Sequence, residues 1–151
     1  MKQKNFSAVP AIEYLQYQKI DSTHNGVTTH IELDIIISFK DGDGDIGIVA
    51  GDNTSPPDLK LVYQHDSSGV WLPYNQPPLV RNTFDTLIIN ERVPYLTPQG
   101  QYKDLQGQIR IKLPYPYSAP IHPVFRYAIT LKDRAGHLSN MVYTDAITTP
   151  Q

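Results

Sequence analysis

The sequence contains no cysteine, carries little net charge and has no long apolar run. Without cysteine there are no disulfides, thiolate zinc sites or catalytic thiols, although disulfide-free exported proteins are ordinary and the compartment stays open. The net charge is −2, and the 13 Lys and Arg residues are scattered rather than gathered into a basic stripe. We therefore expect no nucleic-acid partner. No apolar stretch reaches the length of a membrane span.

The composition is rich in proline and tyrosine, with 13 and 10 residues respectively. Proline at this density disfavours long helices and favours loops and edge strands. A chain of 151 residues is typical of one domain. We expect residues 1–10 to form an N-terminal tether and residues 11–151 to form a single domain. The strands predicted below indicate an all-β, antiparallel β-sandwich of seven to nine strands.

The clearest predicted strand is the one that ends at Lys40. Its five apolar residues occupy every second position, which is typical of a half-buried strand: Ile31, Leu33, Ile35, Ile37 and Phe39. A turn at Asn25-Gly26 precedes it, and Asp66–Gly69 is a second turn between two strands. The remaining strands are predicted at Ala11–Ile20, Ile46–Ala50, Leu59–His65, Val70–Tyr74, Phe84–Val93, Gly107–Leu113, Phe125–Leu131 and Ser139–Ile147.

An acidic run, Asp41-Gly-Asp43-Gly-Asp45, directly follows this strand. Carboxylates at every second position repel one another unless a cation, water or nearby donors compensate them. Calcium takes six to eight oxygen ligands, so the run predicts a calcium site completed by Asp52, Asp133 or Asp104. The alternative is a solvated turn, because Asp-Gly pairs are common turn residues. An EF-hand is excluded, since Ile46 stands where that loop needs glycine.

Tyr127–Ser139 resembles the last hairpin of bacterial immunoglobulin-like domains, and the strand order that this resemblance implies predicts which loops meet. The strands that end at Lys40 and near Lys132 would point to the same end of the sandwich. The loops that follow them, residues 41–58 and Asp133–His137, would then be neighbours, with Asp104 near them.

Aromatic residues suggest a second kind of site. Trp71, Tyr63 and Tyr74 could form a platform on which a sugar stacks, with Tyr115 and Tyr117 as further members. The alternative is that Trp71 and Tyr63 face each other and belong to hairpin packing. The five histidines show no metal-ligand spacing and favour loop or surface positions.

Four segments resemble a family of uncharacterised lipoproteins from Bacteroidota: Pro10–Tyr14, Ser38–Gly47, Gly107–Leu113 and Asp133–Gly136. Tyr127–Ser139 also resembles the last hairpin of bacterial immunoglobulin-like and fibronectin type III-like domains. The resemblance implies an exported domain of the cell envelope, in the periplasm or on the outer membrane surface, held by an N-terminal lipid. The lipid-bearing cysteine of that family is missing here, and we expect Met1 to replace the processed start.

The sequence thus predicts a non-catalytic binding or structural module, with calcium as a candidate ion and an unidentified protein or glycan as its partner. We expect it to touch the membrane only through the lipid anchor. The alternative is a carbohydrate-binding accessory domain that uses the aromatic residues around Trp71. A hydrolase built on the acidic run is the weakest hypothesis, since paired catalytic carboxylates need a cleft that separates their pKa values.

Overall fold

The computed structural model describes residues 6–48, 51, 58–73, 88–94, 104–114 and 124–148. These residues contain strands and loops but no helix, and therefore no helix able to span a membrane. The strands are β1 (Ala11–His24), β2 (Val27–Asp41), β3 (Leu59–Ser67), β4 (Val70–Leu72), β5 (Ile88–Glu91), β6 (Leu105–Pro114), β7 (Val124–Leu131), β8 (Val142–Tyr143) and β9 (Ile147–Thr148).

The strands form two antiparallel sheets, and their order is that of an immunoglobulin-like sandwich. One sheet has the order β1-β2-β6, and the other has the order β4-β3-β7-β8, with β5 also paired to β3 and β9 to β7. These orders correspond to A-B-E and C′-C-F-G of that fold. The chain crosses between the sheets three times, after β2, after β5 and after β6. The predicted fold class is therefore confirmed.

The core forms where the inward faces of both sheets meet. On β2 the predicted alternation holds for four side chains that are at most 4% exposed: Leu33, Ile35, Ile37 and Phe39. Opposite them, Tyr63 of β3 packs with Phe125 and Tyr127 of β7. A shift of register by one residue would turn the apolar face of β2 to water, so this burial fixes the position of the residues that follow β2.

Several element boundaries differ from the predicted ones. β1 and β2 extend to Asn25-Gly26, where both residues take positive φ angles of 52° and 79°, as a two-residue hairpin turn requires. In the predicted strand Ile46–Ala50, the described part Ile46–Ile48 forms only a single bridge, from Ile48 to Pro94. The predicted last strand is divided into β8 and β9, because the intervening Thr144 uses its side chain to accept the N–H of Tyr127.

The predicted tether includes a segment that contacts the domain. Residues Phe6–Pro10, here called the entering segment, precede β1, and Pro10 is buried. The N–H of Gly42 donates a hydrogen bond of 2.7 Å to the carbonyl oxygen of Ser7. The predicted tether, residues 1–10, is therefore not a free segment along this part.

His65, near the end of the inward face of β3, predicts a pH dependence of stability. It is 6% exposed, and burial lowers its pKa below the ordinary value. A lowered histidine pKa gives stability that is complete above the unfolded value, about 6.5, and is lost as the pH falls through the folded value. Relative to His65→Leu, we expect the wild type to lose stability as the pH falls from 7 to 5, measured as the difference between the urea midpoints of the two proteins. An equal slope in both proteins would contradict this assignment.

Candidate functional site

The acidic run forms a loop that turns back towards the core immediately after β2. Gly44 and Gly47 have φ angles of 62° and 98°, which glycine adopts without the steric cost that other residues incur. Ile46, between them, is completely buried and joins the hydrophobic core. The apolar side chain therefore anchors the loop, while the aspartates on either side remain close to the end of the sandwich.

Hydrogen bonds join this loop to the turn after β7, as the immunoglobulin-like order predicts. The N–H of Arg134 donates to the carbonyl oxygen of Asp45 over 3.0 Å, and the N–H of Ala135 donates to Asp45 Oδ2 over 3.1 Å. The Arg134 guanidinium donates to the carbonyl oxygens of Ile46 and Gly47. The predicted meeting of the two loops is confirmed for their described residues.

The carboxylates brought together by this contact form the aspartate cluster, defined as Asp41, Asp43, Asp45 and Asp133. One oxygen each from Asp41, Asp45 and Asp133 lie within 4.8 Å of one another. Ligand atoms of Asp43, Asp133 and His137 form a second group with the same spacing. Asp133 belongs to both groups, so all four carboxylates converge around it.

Asp41 is the most constrained member of the cluster. Its side chain is completely buried, and Oδ2 accepts the N–H of Asp45 over 3.0 Å. Oδ1 has no hydrogen-bond partner among the described residues. Burial, together with the close carboxylate of Asp45, raises the pKa of Asp41 to about 7. Without a cation, a proton on Asp41 relieves the repulsion between the Asp41 and Asp45 carboxylates. Loss of that proton leaves a buried negative charge on Asp41.

Asp133 is held by the turn that it begins. Its Oδ1 accepts the N–H of His137 over 2.7 Å, and its Oδ2 lies 2.9 Å from His137 Nδ1. This interaction raises the pKa of His137. No metal-ligand spacing in the sequence points to this histidine. The predicted turn Asp133–His137 indicates only that residues four apart lie near each other, and the structure adds the hydrogen bonds that join them.

The other predicted ligands are placed differently. Asp104 directly precedes Leu105, which pairs with Asp41, so it lies at the same end of the sandwich. Its Oδ2 is buried and has no hydrogen-bond partner among the described residues. Asp52 lies outside the described residues. The structure thus brings four of the six candidate metal ligands together: Asp41, Asp43, Asp45 and Asp133.

The predicted aromatic platform is not assembled as expected. Tyr63 is 2% exposed and faces the core, so its ring is not available to a ligand on the surface. Trp71 pairs with Asp66 rather than with Tyr63, which corrects the alternative of a Trp71–Tyr63 pair across the hairpin. Tyr74 lies outside the described residues.

Trp71 instead belongs to a stack on the outward face of the second sheet. The Arg126 guanidinium lies 4.3 Å from the ring centre of Trp71 and 4.1 Å from that of Tyr143. Arg126 Nε also donates to Gln64 Oε1 over 2.8 Å. Because the guanidinium already lies on the Trp71 ring, this arrangement favours a packing role for Trp71 over sugar stacking.

No protein-family model, curated protein or solved structure matches this chain. Its strand order is that of an immunoglobulin-like β-sandwich, and the aspartate cluster lies at one end of that sandwich.

Proposed function

We propose that this protein is a non-catalytic immunoglobulin-like binding or structural module in which calcium stabilises the end that carries the aspartate cluster. The observation that supports this most is the buried Oδ1 of Asp41, which has no hydrogen-bond partner among the described residues although Asp45 and Asp133 are close. A cation would neutralise these charges and satisfy that oxygen.

The donor set favours calcium among the divalent cations. The group of Asp41, Asp45 and Asp133 supplies oxygen only, and calcium prefers oxygen ligands in a flexible arrangement of six to eight. Asp43, which is exposed, would supply a further carboxylate, and backbone carbonyls or water the rest. Magnesium needs a near-ideal octahedron at a shorter distance and loses water reluctantly.

An exported, lipid-anchored location is part of the proposal and rests on the sequence resemblance alone. The partner in the cell envelope would be a protein or a glycan. We place calcium in a structural role because the aspartate cluster joins two loops that also share hydrogen bonds from Arg134 and Ala135.

Thermal unfolding with calcium, with magnesium and with a chelator tests this proposal. Calcium at a hundred times its dissociation constant adds roughly 2.7 kcal/mol, which corresponds to roughly 5–10 °C in Tm for a chain of this size. We expect that increase with calcium and a much smaller one with magnesium. An unchanged Tm in calcium and in chelator would exclude the calcium role.

A further inference from the structure

The loop formed by the acidic run contacts the entering segment through the backbone of Gly42. The N–H of Gly42 donates to the carbonyl oxygen of Ser7 over 2.7 Å. A Cβ atom at position 42 would lie 2.8 Å from that oxygen and closer still to the carbonyl oxygen of Phe6. Real Cβ atoms are not found at such distances, so the contact requires glycine between the two aspartates.

Side chains next to this contact extend it. Lys40 Nζ lies 5.6 Å from the ring centre of Phe6, within the range of a cation–π interaction. Beyond the entering segment, Asn140 accepts the N–H of Ile12 and donates to its carbonyl oxygen, both over 2.9 Å. Lys40 directly precedes the loop of the acidic run, and Asn140 follows the turn Asp133–His137. Residues next to both loops of the aspartate cluster therefore hold the chain where it enters the sandwich.

Gly42 lies between two members of that cluster. Asp41, directly before it, is completely buried and has an oxygen without a hydrogen-bond partner among the described residues. Asp43, directly after it, reaches Asp133 on the neighbouring loop. A cation bound by these side chains would therefore fix the backbone on both sides of Gly42, and with it the N–H that holds Ser7.

We infer that cation binding at the aspartate cluster fixes the entering segment to the sandwich, so that the cluster acts as a calcium-controlled joint between the sandwich and this segment. This inference rests on the proposed function, since it needs calcium at the cluster. Without the cation, repulsion among the carboxylates loosens the loop and releases the segment. With it, the segment and the domain move as one body.

Chymotrypsin cleavage of the Phe6–Ser7 bond measures this coupling, because a protease needs a locally unfolded segment. The protein is digested in calcium and in chelator, and the products are followed by mass spectrometry. We expect calcium to slow this cleavage about tenfold or more. The comparison variant is Gly42→Ala, which keeps all four carboxylates but adds the obstructing Cβ. Its cleavage is expected to be fast and to change less than twofold with calcium.

Calcium binding by the wild type and by Gly42→Ala is measured separately by calorimetry. Failure of the proposed calcium site and failure of the proposed joint then give different results. Calcium that binds to the wild type without slowing cleavage would overturn the joint while leaving the calcium site intact. No calcium binding at all would overturn the proposed function itself. Should Gly42→Ala fold poorly, hydrogen exchange of the Gly42 amide in the wild type decides instead: slower exchange in calcium supports the joint, and equal exchange contradicts it.

Discussion

We expect the Asp41→Asn variant to be more stable than the wild type in chelator at pH 8 and less stable than the wild type in calcium. In chelator the wild type holds a buried carboxylate whose pKa is raised to about 7. Because this carboxylate is harder to ionise in the folded than in the unfolded protein, removing its charge should add on the order of 2 kcal/mol once solvent screening has reduced the penalty. The asparagine Oδ1 can still accept the N–H of Asp45.

Calcium should reverse the order of the two proteins. The wild type gains roughly 2.7 kcal/mol at a hundred times the dissociation constant, whereas the variant lacks a ligand and the charge that attracts the ion. Urea denaturation followed by the fluorescence of Trp71, the single tryptophan, measures both effects. Asp66→Asn is the matched control, because that exposed aspartate caps the N–H of Gly69 in the hairpin turn and is not a member of the aspartate cluster. Equal calcium responses in Asp41→Asn and wild type would contradict the assignment.

In chelator, the stability difference between Asp41→Asn and the wild type should change with pH in one direction. Because the folded pKa of Asp41 is raised, the wild type in chelator binds more protons when folded than when unfolded between about pH 4 and pH 7. The contribution of Asp41 to stability is fully present at pH values below its pKa in the unfolded chain. It is lost as the pH rises through the pKa that Asp41 has in the folded protein. The advantage of Asp41→Asn should therefore narrow at pH 5.

The second large effect is expected from Tyr63→Ala, with a loss of about 3–5 kcal/mol, as for other large aromatic side chains removed from cores. Tyr63 stacks on Phe125 with ring centres 5.2 Å apart and meets Tyr127 edge-on at 5.8 Å. Because natural domains are stable by only about 5–15 kcal/mol, such a loss brings the protein close to unfolding.

Trp71→Ala is the comparison for this prediction, since Trp71 is only half-buried and its interaction with Arg126 is worth about 0.5–1 kcal/mol. Circular dichroism follows both variants, because the second loses the fluorescent residue. A Tyr63→Ala variant that loses less stability than Trp71→Ala would show that Tyr63 does not have the core role assigned to it.

The predictions from sequence succeeded where period-two alternation or turn chemistry determined the structure. The apolar alternation around Leu33 and Ile35 was enough to place β2, and Asn25-Gly26 was enough to place the turn before it. The strand order also predicted that Asp45 lies next to the turn at Arg134, as the structure shows. The strands that precede these two loops run to the same end of an immunoglobulin-like sandwich.

The sequence did not determine which aromatic residues face the core or what the entering segment touches. Tyr63 and Trp71 both belong to strands of one hairpin, and only the register, in which Trp71 pairs with Asp66, separates their faces. The contact of Gly42 with Ser7 joins segments 35 residues apart through backbone atoms, which leave no signal in side-chain patterns. The Asp133–His137 interaction also depends on a turn geometry that residue spacing alone does not specify.

A calorimetric titration of calcium into the wild type, Asp41→Asn and Asp133→Asn tests the aspartate cluster as an ion site most directly. We predict saturable binding of one ion per chain by the wild type and by the Asp66→Asn control, and no measurable binding by the two cluster variants. Absence of binding by the wild type, or unchanged binding by both cluster variants, would contradict the assignment of the ion to these carboxylates.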